Sequence, residues 1–144
     1  MNILSIGIDV SSADFVVCFL DNHGQRLGKT QSFQNSLPDA EKFEKLIVQT
    51  AQKIKPDEIL IGTESTSVYD LHIVDFLASS PLLKPLNTFV FRFNAKIIKN
   101  FKKAYLDENK TDPGDAFIIA DRLRFRRPQH PYTAHQPHLP LQRL

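Results

Sequence analysis

An α/β fold, with a mixed five-stranded sheet flanked by helices, is what this sequence predicts. Three observations carry the prediction: an N-terminal segment of alternating apolar residues, two further strand-like runs before any helical period, and then a regular alternation of helix and strand. Strands joined by short turns pair antiparallel and strands joined through a helix pair parallel, so the sheet is mixed.

Leu4, Ile6, Ile8 and Val10 alternate with Ile3, Ser5, Gly7 and Asp9, so the second face of the first strand carries small residues and then a carboxylate near its end. Residues 15–20 are a continuous apolar run of strand length. Asp21, Asn22, His23 and Gly24 supply turn chemistry before a weaker strand over residues 27–33. Pro38 starts a helix whose buried face is Ala40, Phe43, Ile47, Ala51 and Ile54, and Pro56 ends it. Ile59, Leu60 and Ile61 give a short buried strand with Glu64 just beyond it, and Val68, Leu71, Val74 and Leu77 mark a second helix stopping before Pro81. A fifth strand spans residues 88–93. Asn94 caps a third helix, with Ile98, Phe101 and Tyr105 on one stripe and Lys96, Lys99 and Lys103 on another. A polar turn over residues 107–111 leads into the last helix, predicted from Asp112 and Pro113 through Ala116, Ile119, Ala120 and Leu123 to about Arg126. One domain therefore spans residues 1–127. Residues 128–144, with four prolines and three histidines, read as a tail or the start of a linker. This element order is that of the RNase H-like fold.

The 144 residues, 42% apolar and 24% charged, suit one globular domain with a real core and exclude a highly charged disordered chain. Charge is unevenly placed. Residues 1–91 carry seven basic and eleven acidic side chains, whereas residues 92–144 carry eleven basic and five acidic, so the second segment is the one suited to phosphate. A single cysteine, Cys18, excludes an internal disulfide framework and a multi-cysteine zinc site and points to reducing cytoplasm. No apolar run approaches the roughly 18 residues needed to span a bilayer, so no membrane partner is expected.

Four carboxylates occupy suggestive positions: Asp9 on the first strand, Glu64 after the fourth, and Asp112 with Asp115 at the head of the last helix. Hard oxygen donors of this kind suit magnesium, and two ions roughly 3.5–4 Å apart serve both sides of a scissile phosphate. Each acid also has a local role open to it. Asp9 can close a strand, Glu64 can sit in a solvated loop, and Asp112 with Asp115 can form an N-cap and a capping box.

The segments Gly7-Ile8-Asp9-Val10-Ser11, Glu64-Ser65-Thr66-Ser67-Val68-Tyr69, Asn94-Ala95 and Lys110-Thr111-Asp112-Pro113-Gly114-Asp115-Ala116, followed by Ile119-Ala120, resemble the N-terminal domain of DEDD-type insertion-sequence transposases, a family that includes the Piv DNA invertase. The resemblance covers residues 3–127, and the order and spacing of its blocks are more specific than any one block. Ser12, Ser67 and Ala95 depart from residues common in the family, none of them a carboxylate. The resemblance implies a RuvC-like domain with Asp9, Glu64, Asp112 and Asp115 as catalytic and metal-binding tetrad, holding two Mg2+ or Mn2+ ions. It also implies DNA as substrate, a guide or bridge RNA as partner, homo-oligomers of the full-length protein, and a prokaryotic cytoplasmic, nucleoid-associated setting. A further C-terminal domain with a serine nucleophile is implied as well, and residues 138–144 resemble the start of the region leading to it.

Lys96, Lys99, Lys103, Lys110, Arg122 and Arg126 are candidates for holding nucleic-acid phosphates, although cations on a helix face or C-terminus are also ordinary solvated residues. His130, His135 and His138 make a weak zinc set, and His72 and Cys18 read as packing residues. The leading expectation is a magnesium-dependent strand-transfer domain of a DNA recombinase. A non-catalytic nucleic-acid-binding module is the alternative. An actin-like ATPase, suggested by Gly7-Ile8-Asp9, lacks paired glycine-rich phosphate loops.

Overall fold

Strands β1 (Ile3–Val10), β2 (Asp14–Leu20) and β3 (Gln31–Gln34) come first. They are followed by α1 (Leu37–Ile54), β4 (Glu58–Ser65), α2 (Tyr69–Ala78), β5 (Thr88–Asn94), α3 (Ala95–Asn109) and α4 (Asp115–Phe125). The computed structural model describes residues 1–65 and 68–134. Thr66, Ser67, His135, His138 and the rest of the stretch 135–144 lie outside the described residues. The sheet runs in the order β3-β2-β1-β4-β5, with β1 antiparallel to β2, β2 antiparallel to β3, and β1, β4 and β5 mutually parallel. The mixed five-stranded sheet flanked by helices is thus present as predicted.

Alternation along the strands divides the core between the two faces of the sheet. Leu4, Ile6, Ile8, Phe15, Val17, Ile59 and Ile61 face α1 and α2, meeting Phe43, Ile47, Ile73, Val74 and Leu77. On the opposite face Leu60, Phe91 and Phe93 meet Ile98, Ile118, Ile119 and Leu123 of α3 and α4, while Cys18 and Leu20 meet Ala116 and Ala120. Gly7 and Gly62 are register partners under α4. A Cβ on Gly7 would stand 2.0 Å from the Ala116 carbonyl oxygen and 2.6 Å from the Ala120 amide nitrogen. Only glycine lets helix backbone rest on strand backbone here, and that contact sets the height of α4 above the sheet.

Several boundaries differ from the sequence expectation, each for a local reason. Gly28, with φ of 80°, interrupts the stretch expected as the third strand; a single bridge between Leu20 and Arg26 forms first, and β3 begins only at Gln31. β4 continues through Ser65, so Glu64 is a strand residue paired with Phe93 rather than one beyond the strand. In α2 the buried face is Asp70, Ile73, Val74 and Leu77, and Val68 is exposed. The helix is turned by an ion pair between buried Asp70 and half-buried Arg92: Asp70 Oδ2 accepts from Arg92 Nε of β5 at 2.6 Å, and Oδ1 accepts from Nη2 at 3.1 Å. α3 absorbs the expected polar turn as far as Asn109 and ends on Lys110 in the left-handed conformation, whose amide donates to Leu106 O.

After α4 the chain remains on the body. Tyr132 donates its amide to Val90 O at 2.6 Å and its hydroxyl to Asp75 Oδ1 at 3.0 Å, and its ring packs on the core of the α1 and α2 face.

Candidate active site

Strand period and helix seating together bring three of the four predicted acids to one end of the sheet. Asp9 follows Gly7 by two residues and Glu64 follows Gly62 by two, so both side chains leave the face on which α4 lies. α4 begins at Asp115, directly above. Burial first, then the charge of Asp115, raises the Asp9 carboxyl above its ordinary pKa, with Lys102 pulling it down and Asp14 adding to the rise. Glu64 is raised in the same way, by burial and then by the charges of Asp115 and Asp9, against Lys102. Each acid is therefore within electrostatic reach of its neighbours, and all feel one ammonium.

Asp112 stands differently. The expected N-cap role fails because Gly114, with φ of 93°, takes the N-cap position and makes Asp115 the first helical residue. Asp112 instead closes a turn before the helix, its Oδ1 accepting from the Gly114 amide at 2.9 Å. That amide, followed by Lys102, holds the exposed Asp112 carboxyl below its ordinary pKa. The capping box read from the sequence is absent, and Asp112 and Asp115 do not share a helical face.

Lys102 joins the two. Its Nζ lies 2.6 Å from Asp115 Oδ1 and 3.4 Å from Asp112 Oδ2. Sequence reading missed this residue while selecting Lys99 and Lys103 on either side of it. The signal was available: Lys102 is four residues after Ile98, hence on the packed side of α3, where a lysine needs a partner. Arg26 was missed as well. Its guanidinium lies 4.7 Å from the Phe117 ring centroid, and Nη2 donates to Pro113 O at 2.9 Å, fastening the Asp112 turn to the β2–β3 hairpin.

As a donor set the acids fit a hard divalent cation: carboxylate oxygens that repel one another, with the Lys102 ammonium standing in for positive charge between two of them. Among the described residues no three His, Cys, Asp or Glu side chains are arranged around a single metal position.

The basic candidates separate into two groups. Lys96 and Lys99 line a cleft of about 590 Å3 together with Glu64, Lys102, Asp115 and Ile119. Lys103 lies on the adjoining surface with Leu106 and Asp107, and Lys110 is the exposed cap of α3. Arg122 and Arg126 lie farther along α4, Arg126 just past its last residue. An 11-residue helix is roughly 16 Å long, which takes Arg126 to the neighbourhood of Ile3 and away from the acids. Arg122 is engaged with the Phe93 and Phe101 rings, 5.6 and 6.0 Å from their centroids, and donates to Arg126 O. Burial, and then the charge of Arg126, lowers its pKa. Cys18 is buried as expected, but His72 is exposed and lines a separate groove of about 600 Å3 between α1 and α2.

A family model for DEDD transposases of the IS110 type, described as transposase, matches residues 6–140. The chain belongs to this transposase family. Among solved structures the transposase domain is similar to Thermus thermophilus RuvC, with TM-score 0.54 and 12% identity over 92% of this chain and 100% of that one. It is also similar to T. thermophilus RuvC in complex with a Holliday junction substrate, with TM-score 0.52 and 13% identity over 83% of this chain and 90% of that one. These likenesses establish the RNase H-like fold of the transposase domain, and the family places it among enzymes of DNA transposition. No curated protein matches the chain significantly. Among the described residues, no helix of the transposase domain is long and apolar enough to cross a membrane.

Proposed function

We propose that this domain cleaves and transfers DNA strands with divalent metal held by Asp9, Glu64, Asp112 and Asp115. The observation that carries the proposal is the convergence of Asp9, Glu64 and Asp115 under one ammonium, at the edge of a cleft that also holds Lys96 and Lys99. Two Mg2+ or Mn2+ ions, when bound there, supply activation of a water or hydroxyl and stabilisation of the leaving oxygen. Asp9 and Glu64 project from rigid strands and fix the floor of the site. Asp115 on α4 and Asp112 on its turn provide the side that closes over it. Lys96 and Lys99 hold the flanking phosphates and set the line of the strand across the acids. Lys103 and Lys110 extend that basic track along α3. Arg126, at the far end of α4, serves a second nucleic-acid segment, which suits a guide or bridge RNA beside the DNA. Full transposition draws on a separate C-terminal domain and on homo-oligomers in a prokaryotic cytoplasm.

Calorimetry of the folded chain tests this reading. Manganese should bind, and Asp9→Asn or Asp115→Asn should weaken it at least about tenfold, the low end of the effect of losing a metal-site group. Identical uptake in all three proteins would end the tetrad assignment.

A second reading, a non-catalytic nucleic-acid-binding module of the same fold, draws on the structural tasks that Asp112 and Asp115 already perform with Gly114 and Lys102. Nucleic-acid binding that falls steeply with salt yet ignores metal and carboxylate substitution would favour it.

A further inference from the structure

We infer that Lys102 is a resident counter-ion that occupies the acidic cup until divalent metal displaces it into the phosphate cleft. The inference rests on the metal-binding role proposed for Asp112 and Asp115 and adds a regulatory step to it. Three observations support it. Lys102 contacts an acid on each side of Gly114, 2.6 Å to Asp115 and 3.4 Å to Asp112, so one side chain ties a turn residue to a helix residue. It stands one turn after the buried Ile98 on α3, with its side chain 29% exposed, so its ammonium meets both the acids and solvent. It also lines the same cleft as Asp115, Glu64, Lys96 and Lys99, so a change of rotamer carries its ammonium from Asp115 toward the Lys96 and Lys99 side, the place assigned to DNA phosphate.

The physical requirement is competition. An ammonium and a divalent ion cannot share the same carboxylate oxygens at contact distance, because both need the same lone pairs and repel each other. Metal entry therefore breaks the Lys102 contacts, and the freed lysine adds positive charge to the cleft only when the site is loaded. By linkage, metal and polyanion should each favour binding of the other. Lys96, Lys99 and Lys103 are exposed and set the background attraction.

Two measurements on the full chain decide the matter. In the first, magnesium binding is followed by calorimetry for wild type, Lys102→Met and Asp115→Asn. Lys102→Met should bind magnesium about two- to fivefold more tightly, the factor equivalent to removing a partly exposed ion pair, while Asp115→Asn should bind it more weakly. In the second, wild-type protein carrying 15N-labelled lysine is titrated with magnesium, the Lys102 ammonium resonance being identified by its absence in Lys102→Met. That resonance should be protected from water exchange without metal and lose its protection as magnesium saturates. Magnesium binding that is unchanged or weaker in Lys102→Met, or a Lys102 resonance that stays protected at saturation, overturns the exchange and leaves the carboxylate assignment standing. Absence of magnesium binding in every protein overturns both.

Discussion

Asp9 illustrates how the site costs the fold stability. Its carboxyl is pushed up by burial and by Asp115, so ionising it is harder in the folded chain than in the unfolded one. Below the ordinary carboxylate range both states are protonated and nothing is lost. As pH rises through the ordinary value the unfolded chain ionises first, and stability falls until the raised folded value has been passed. Glu64 acts in the same sense, while Asp112, with its lowered pKa, contributes stability above the ordinary range that is lost as pH falls through the lowered value. Asp9→Asn should therefore unfold at the wild-type temperature in acid but about 2–5 °C higher at neutral pH in chelator. Thermal unfolding across a pH series checks this, and a gap independent of pH would assign the effect to packing instead of charge.

Helix α4 is positioned by what it rests on rather than by its own sequence. A methyl group on Gly7 would collide with main-chain atoms of Ala116 and Ala120, which have no rotamer to escape into, so the helix would have to rise. Gly7→Ala should cost about 3 kcal/mol or more, the upper end for overpacking, read by urea unfolding. A near-neutral result would mean that α4 can slide along the sheet. The elements that periodicity disclosed well were those whose burial is decided locally: β1, β2, α1 and β5 follow their apolar pattern closely. The pattern was less informative where a distant partner decides. α2 is rotated by Arg92, a residue 22 positions away from Asp70 that no helical period can announce. α4 starts at Asp115 because Gly114 adopts a positive φ, while Asp-Pro in the sequence looked like an earlier start. Within the site, Asp9, Glu64 and Asp115 were legible as acids at element ends. The side of α3 that carries Lys102 was legible from Ile98, but its partners and those of Arg26 were not, because they are fixed only by the crossing of α3 and the β2–β3 hairpin over the turn that carries Asp112.

Across the whole molecule, the acidic cup and the Arg126 end of α4 lie at opposite ends of the sheet, so the positive charge of the second segment is divided between two regions. The outer strands differ in their exposure. β3 is four residues long, too short to template much pairing, whereas β5 is longer and apolar. Tyr132 crosses that outer side and occupies the Val90 carbonyl. A chain stopped after Arg127 should accordingly show more concentration-dependent light scattering than the full chain, and equal scattering would assign protection to β5 itself. The main-chain bond from Tyr132 thus works as a stopper against intermolecular strand addition, and colloidal behaviour at high concentration becomes a property of a few residues beyond the last helix.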